Sequence, residues 1–172
     1  MQSSRLYYEP LTVAHADLLF DLLSDLRVIA HIDGSATTLD AMRAEFRNKE
    51  AGPPSERLHE LWVHFAVGLQ PTSTLIGLIE ATCYGSWCEV GYLFGFDSWG
   101  KGIASEALNW LMDHLRTKFG IEEFWAAVDP ANTRSIKLLE RLGFEPAAPG
   151  PSRRLASYDP GDLCFRHCAS HG

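Results

Sequence analysis

The sequence predicts an α/β fold: a mixed, mostly antiparallel sheet with one parallel step near its middle, flanked by helices. Two observations carry this. Leu61–Leu69, Thr74–Cys83 and Trp87–Phe94 are apolar, β-branched or aromatic runs separated only by Gln70–Ser73 and Tyr84–Ser86. Connections that short allow hairpins and exclude parallel crossovers, so the three runs form an antiparallel meander. After Phe94 the period changes. Ile103, Ala104, Ala107, Leu108, Leu111, Met112, Leu115 and Phe119 make one helical stripe, and Phe124–Val128 follows as a strand. Strand, helix, strand from Trp87 to Val128 is a crossover long enough for a parallel pair.

The remaining elements fall on either side. Leu6–Glu9 reads as an opening strand. A helix follows, with Thr12 as its expected N-cap and Leu18, Leu19, Leu22, Leu23 and Leu26 as its apolar stripe. Thr38 caps a second helix over Leu39–Lys49. The stretches Ala51–Ser55 and Pro146–Pro151 are too proline-rich to continue either element and read as irregular connections. In the second half, Gly120 stops the long helix. Asn132–Leu142 is a helix with Gly143 at C′, and strands are expected from Phe144 and over Leu163–His167.

A chain of 172 residues, 46% apolar and 22% charged, suits one globular domain over residues 1–172. Its net charge of −7 makes it a poor general binder of nucleic acid, whose affinity rests on neutralising phosphates, so no nucleic-acid partner is expected. The charge is compatible with a cationic substrate, and solubility alone also accounts for it. The first ten residues lack the apolar run of a signal peptide, and no stretch has the length and apolarity to cross a bilayer, so the expected compartment is the cytoplasm and no membrane partner is expected. The four cysteines, Cys83, Cys88, Cys164 and Cys168, are spaced by four and by three residues, even with His167 and His171 nearby. Neither spacing is a zinc knuckle, so reduced thiols are expected, with no metal and no disulfide.

The segment Gly95–Ala107 joins a strand to an amphipathic helix, and glycines there let backbone approach an anion at the helix start. A tight turn would use the same glycines. A dinucleotide fingerprint needs a third glycine where Ser105 stands. A P-loop fits Gly95, Gly100 and Lys101, but Gly102 occupies the Ser/Thr position that holds magnesium, and Asp97 would sit among the phosphates.

Three motifs stand in order: Glu89-Val90-Gly91-Tyr92-Leu93; Trp99-Gly100-Lys101-Gly102-Ile103-Ala104-Ser105-Glu106-Ala107; and Asn132-x-x-Ser135-x-x-Leu138-Leu139-Glu140-x-Leu142-Gly143-Phe144. Together they resemble the GNAT acetyltransferase superfamily, and within it the branch of ribosomal-protein N-terminal acetyltransferases (RimJ/RimL). The resemblance implies an acyl-CoA N-acyltransferase fold whose central parallel strands splay, with the strand Glu89–Phe94 bulging away. It also implies acetyl-CoA as co-substrate, held by backbone N–H groups over Gly100, Lys101, Gly102, Ile103, Ala104 and Ser105. Trp99 stands where the family has Gln or Arg. Backbone near Leu93, Phe94 and Gly95 would pair with pantetheine, and Asn132 would cap its helix and touch the same arm.

The resemblance implies direct transfer to a primary amine, on a small molecule or a protein N-terminus, and a homodimer is compatible with it. The amine must lose a proton, and Glu89 is the first candidate base, with Glu80 and His64 in reserve. Its plain alternative is an edge charge. The family's usual Tyr for protonating the thiolate falls on Leu139, so Ser135 is the candidate substitute, although a CoA thiol is acidic enough to leave unaided. His31, beside Asp33, lies in the region that would face substrate. These two departures from the family pattern keep open a second expectation, a CoA-binding module without turnover.

Overall fold

The computed structural model describes residues 1–32, 38–150 and 155–168. Among these residues, seven strands form one sheet in the order β1-β2-β3-β4-β5-β7-β6. β1 (Leu6–Pro10), β2 (Leu61–Leu69), β3 (Thr74–Tyr84) and β4 (Trp87–Phe94) are antiparallel neighbours, as the short connections require. β5 (Glu123–Val128) lies parallel to β4, and β7 (Leu163–Cys168) and the two-residue β6 (Glu145–Pro146) close the edge antiparallel.

Helices cover both faces. α1 (His15–Leu23) and α3 (Leu39–Ala51) seal one, placing Leu19, Leu23, Met42 and Phe46 against Ala66 of β2 and Leu78 of β3. α4 (Ile103–Phe119) seals the other, with Leu108, Leu111 and Leu115 fully buried against Val67, Ile79 and Phe124. The short α2 (Leu26–Ile29) follows α1, and α5 (Thr133–Arg141) follows β5. The period-2 alternation of β2 to β4 thus divides two cores, one for each helical layer.

Several local expectations change. Thr12 does not cap α1: the helix begins three residues later, and the Thr12 N–H instead donates to His15 Nδ1 at 2.9 Å. Leu18 faces outward, because the buried face of α1 runs through His15, Ala16, Leu19 and Leu23. Leu26, in α2, is 80% exposed, because α1 ends at Leu23 and the stripe cannot run on. Phe119, at the last turn of α4, is also exposed. Thr38 does cap α3, accepting from the Ala41 N–H at 3.2 Å.

The thiols are also corrected. Cys83 and Cys88 sit directly opposite each other on β3 and β4 and form a disulfide, with Cα atoms 4.0 Å apart. Their register makes them a non-hydrogen-bonded pair, in which facing side chains come closest. A spacing of four residues by itself suggests only a hairpin with separate thiols, because it does not fix the register. Cys164 and Cys168 are free.

The feature that positions the site is a loss of pairing. β4 and β5 pair only through Trp87–Glu89 and Glu123–Trp125. Beyond Glu89, β4 keeps its ladder with β3 while β5 keeps its ladder with β7, so the sheet opens between them.

Candidate active site

A cleft of about 980 Å³ occupies this opening and is lined from both faces of the sheet. On one side stand Tyr92, Phe94, Trp99, Ala104, Asn132 and Ser135; on the other, Lys49, Glu80, Ala156 and Ser157. The chain therefore brings the three sequence motifs to one place. No group of three or more possible metal ligands occurs among the described residues, and no described helix is long and apolar enough to cross a membrane.

The glycine loop meets the cleft at the start of α4. Gly100 and Gly102 have φ of +72° and +73°, a region that side chains with a Cβ rarely enter. A Cβ at Gly100 would meet nothing within 4 Å, and at Gly102 only the Arg5 guanidinium at 3.6 Å. The loop is thus bare backbone. The first intrahelical bond of α4 runs from the Glu106 N–H to Gly102, leaving the N–H groups of Ile103, Ala104 and Ser105 without intrahelical acceptors. The Ser105 hydroxyl is buried and has no partner among the described residues. Free donors at a helix N-terminus suit an anion such as a diphosphate. Arg5 braces the loop, donating to the Lys101 carbonyl at 3.0 Å and pairing with Glu106 at 2.7 Å.

The strand edge differs from the expected one: β4 keeps an unbroken one-to-one register with β3 from Trp87 to Phe94 and does not bulge, so the ladder alone sets which amides face the gap. The Gly95 N–H is taken by the Ile76 carbonyl at 3.0 Å. By the alternation of an antiparallel ladder, Leu93 also turns its amide to β3. Tyr92 and Phe94 turn theirs to the gap. The amides free to meet an extended arm there are those of Tyr92 and Phe94, in place of the expected Leu93 and Gly95.

At the α5 side, Asn132 caps the helix, its Oδ1 accepting from the Ser135 N–H at 3.1 Å. That leaves its amide N–H₂ available. Ser135 Oγ meets the Tyr92 hydroxyl at 2.6 Å. Burial pushes the Tyr92 phenol up to about 12, so it stays protonated. Leu139, at the family's Tyr position, is fully buried in the core.

On the other face, Glu89 is buried, and both its oxygens are engaged. Oε2 accepts from the Ala156 N–H at 2.5 Å, while Oε1 accepts from the Ser157 N–H at 2.9 Å and from the Ser157 hydroxyl. Glu89 stands behind the wall; Ala156 and Ser157 face the cleft. Glu80 does line it and binds Lys49 at 2.7 Å, and Lys49 also binds Glu45 at 2.8 Å. Burial works against the Lys49 ammonium, yet the two carboxylates hold its pKa above that of a free lysine. Burial opposes the Glu80 charge as well, and Lys49 prevails, keeping the carboxyl below its usual range. His64, 4.0 Å from Glu80, is pushed down by burial and is not on the cleft wall. His31 pairs with Asp129 at 2.7 Å, both lining the cleft; its expected neighbour Asp33 lies outside the described residues.

Nothing in the sequence alone singles out Tyr92 or Ser157. Tyr92 sits inside a recognised motif, but only the ladder register aims its phenol at α5. Ser157 follows the proline-rich stretch, where no periodicity signals a wall of the cleft.

A model of the acetyltransferase (GNAT) domain matches residues 5–145. The chain is similar to an uncharacterized N-acetyltransferase p20 of Bacillus licheniformis, 47% identical over 57 residues; these make up 33% of this chain and 32% of that one, so the match spans about a third of the curated relative's length. Among solved structures it is similar to a putative ribosomal-protein-serine acetyltransferase from Vibrio cholerae, at 20% identity over 97% of this chain and 95% of that one, with a TM-score of 0.76. It is also similar to an acetyl transferase from Salmonella typhimurium, described as modifying the N-terminal serine of the 50S ribosomal subunit protein L7/L12, at 17% identity over 96% of each chain and a TM-score of 0.77. Identities that low carry the fold alone. The family model, spanning both the glycine loop and the opened strands, carries the affiliation: this chain belongs to the acetyltransferase (GNAT) family, whose fold supports acetyl-CoA-dependent acyl transfer.

Proposed function

We propose that the chain moves the acetyl group of acetyl-CoA directly to a primary amine, on a small molecule or a protein N-terminus, in a cytoplasmic setting. The observation that carries this reading is the junction of two binding edges: the bare glycine cradle at the start of α4 opens onto the unpaired amides of β4. One edge suits a diphosphate and the other an extended amide-bearing arm, and both belong to CoA. The co-substrate would supply an activated acetyl thioester. The motif residues favour the RimJ/RimL branch, and hence an N-terminal amine, as the finer reading.

The chain's own groups then divide the work. Tyr92 or Phe94 N–H, fixed in the ladder, is placed to donate to a carbonyl oxygen as negative charge develops there. On the acceptor face, the Ser157 hydroxyl can accept an amine proton while handing its own to Glu89. The carboxylate is thus a base acting through a hydroxyl, because Ser157 and not Glu89 faces the cleft. On the other face, Tyr92 and Ser135 share one hydrogen bond and hold two hydroxyl protons, which leaves one O–H to donate towards a departing sulfur. No step needs a covalent enzyme intermediate, and transfer rests on positioning and electrostatics.

The test is acetyl-CoA-dependent thiol release across a panel of small amines and peptides with free N-termini. Release that depends on the amine, with acetylated product confirmed by mass, is expected. Tight CoA binding with no release above background for any amine would replace the enzyme by a binding module.

A further inference from the structure

Trp99 stands where the family pattern has a polar side chain beside the cradle, and its indole cannot reach a phosphate as a donor because the one N–H is spent. Nε1–H donates to the Phe94 carbonyl at 2.9 Å, and Phe96 tilts against the ring with centroids 5.0 Å apart. What the ring does offer is a platform. Arg134, in the first turn of α5, sets its guanidinium over the Trp99 ring, 3.6 Å from the centroid. A guanidinium seated on an aromatic ring is held in orientation while the N–H donors at its rim stay free for a planar or tetrahedral oxyanion.

The electrostatic setting separates Arg134 from the other cations. Two permanently charged basic side chains line the cleft among the described residues, Lys49 and Arg134. Lys49 is bound by two carboxylates, whereas Arg134 makes no ion pair with a described carboxylate. It therefore remains the uncompensated cation of the described lining, in a protein of net charge −7, on the residue that opens the anion cradle.

We infer that Arg134, oriented by Trp99, is a phosphate fork for the diphosphate of the acyl donor, supplying from α5 the polar contact that Trp99 does not make from the loop. The inference rests on the acyl-CoA reading above and adds to it a residue that none of the motif positions assigned to the cofactor includes. It also explains how the loop tolerates an indole at its first position: the side chain works by holding a donor borne by another helix.

Binding of three donors to wild type, Arg134→Ala and Arg134→Lys tests it by calorimetry: acetyl-CoA, acetyl-dephospho-CoA, which lacks the 3′-phosphate, and S-acetylpantetheine, which lacks the diphosphate. Arg134→Ala is expected to weaken acetyl-CoA and acetyl-dephospho-CoA alike, by about 10- to 100-fold, the range of charged hydrogen bonds, and to leave S-acetylpantetheine unchanged. Arg134→Lys should recover only part of the loss, since a point charge lacks the fork. A loss confined to acetyl-CoA would move the contact to the 3′-phosphate and overturn the diphosphate assignment. An equal loss for S-acetylpantetheine would make Arg134 a structural residue, and no loss for any donor would overturn the inference alone. Wild type that binds none of the three would remove the acyl-CoA reading itself, and the inference with it.

Discussion

The hydroxyls of Tyr92 and Ser135 meet at 2.6 Å across the opened sheet, tying β4 to the first turn of α5. The contact sets a phenol beside the serine at the point where the family's usual tyrosine is replaced by the buried Leu139. Tyr92→Phe keeps the ring and removes the proton. It is expected to lower the rate of thiol release by about 10- to 100-fold with little change in acetyl-CoA affinity, and Ser135→Ala should do the same. Combining the two should cost little more than either alone, because one pair acts as one donor. Additive losses in a double-mutant cycle would separate them.

Glu89→Gln keeps size while removing the ability to take a proton. Turnover near neutral pH is expected to fall by about 10²–10⁴ and to recover as high pH deprotonates the amine directly. Ser157→Ala should lower turnover near neutral pH to a similar extent and change the shape of the pH–rate curve in the same way, since it removes the hydroxyl between amine and carboxylate. Variants with an unchanged curve and a raised amine KM would show that Glu89 only latches the loop, and would move the base to Glu80.

Gly102→Val puts a branched side chain at φ +73° in the cradle. Two effects combine: backbone strain of about 1–2 kcal/mol and loss of approach to the helix start. Gly120→Val separates them, because Gly120 has φ +66° with open space around it and does not line the cleft. Both should melt lower than wild type. Only the Gly102 variant should lose the rise in melting temperature that CoA gives.

Burial holds His64, His114 and His167 below the usual histidine range in the folded chain. The unfolded chain therefore binds more protons as pH falls through about 6.5, and stability falls with it. Melting temperature should be flat above about pH 7.5 and drop progressively below about 6.5. His64→Gln should make that drop shallower; a slope identical to wild type would mean that His64 is not the group responsible.

Protein purified without added metal should carry well under one zinc per chain by elemental analysis. Cys83 and Cys88 are committed to each other, and Cys164 is buried on β7. Stoichiometric zinc would point to the C-terminal Cys168 and residues beyond it.

Much of this protein is local in origin and legible from the chain. Short connections can only make hairpins, so the meander of β2 to β4 follows from the lengths of Gln70–Ser73 and Tyr84–Ser86. The helical stripe of α4 and the Thr38 and Asn132 caps follow from period and side-chain chemistry within a few residues. The glycine loop is legible for the same reason, since positive φ at Gly100 and Gly102 is a property of residue type. Tertiary structure decided what depends on register and on distant segments meeting. Which β4 amides face the gap depends on the pairing of Gly95 with Ile76 in β3. Cys83 and Cys88 became partners because the hairpin register set them opposite each other. Glu89 meets Ser157, Tyr92 meets Ser135 and Arg134 meets Trp99 across 68, 43 and 35 residues of chain. No periodicity spans such separations; only the sheet that opens after Glu89 brings these groups to one cleft.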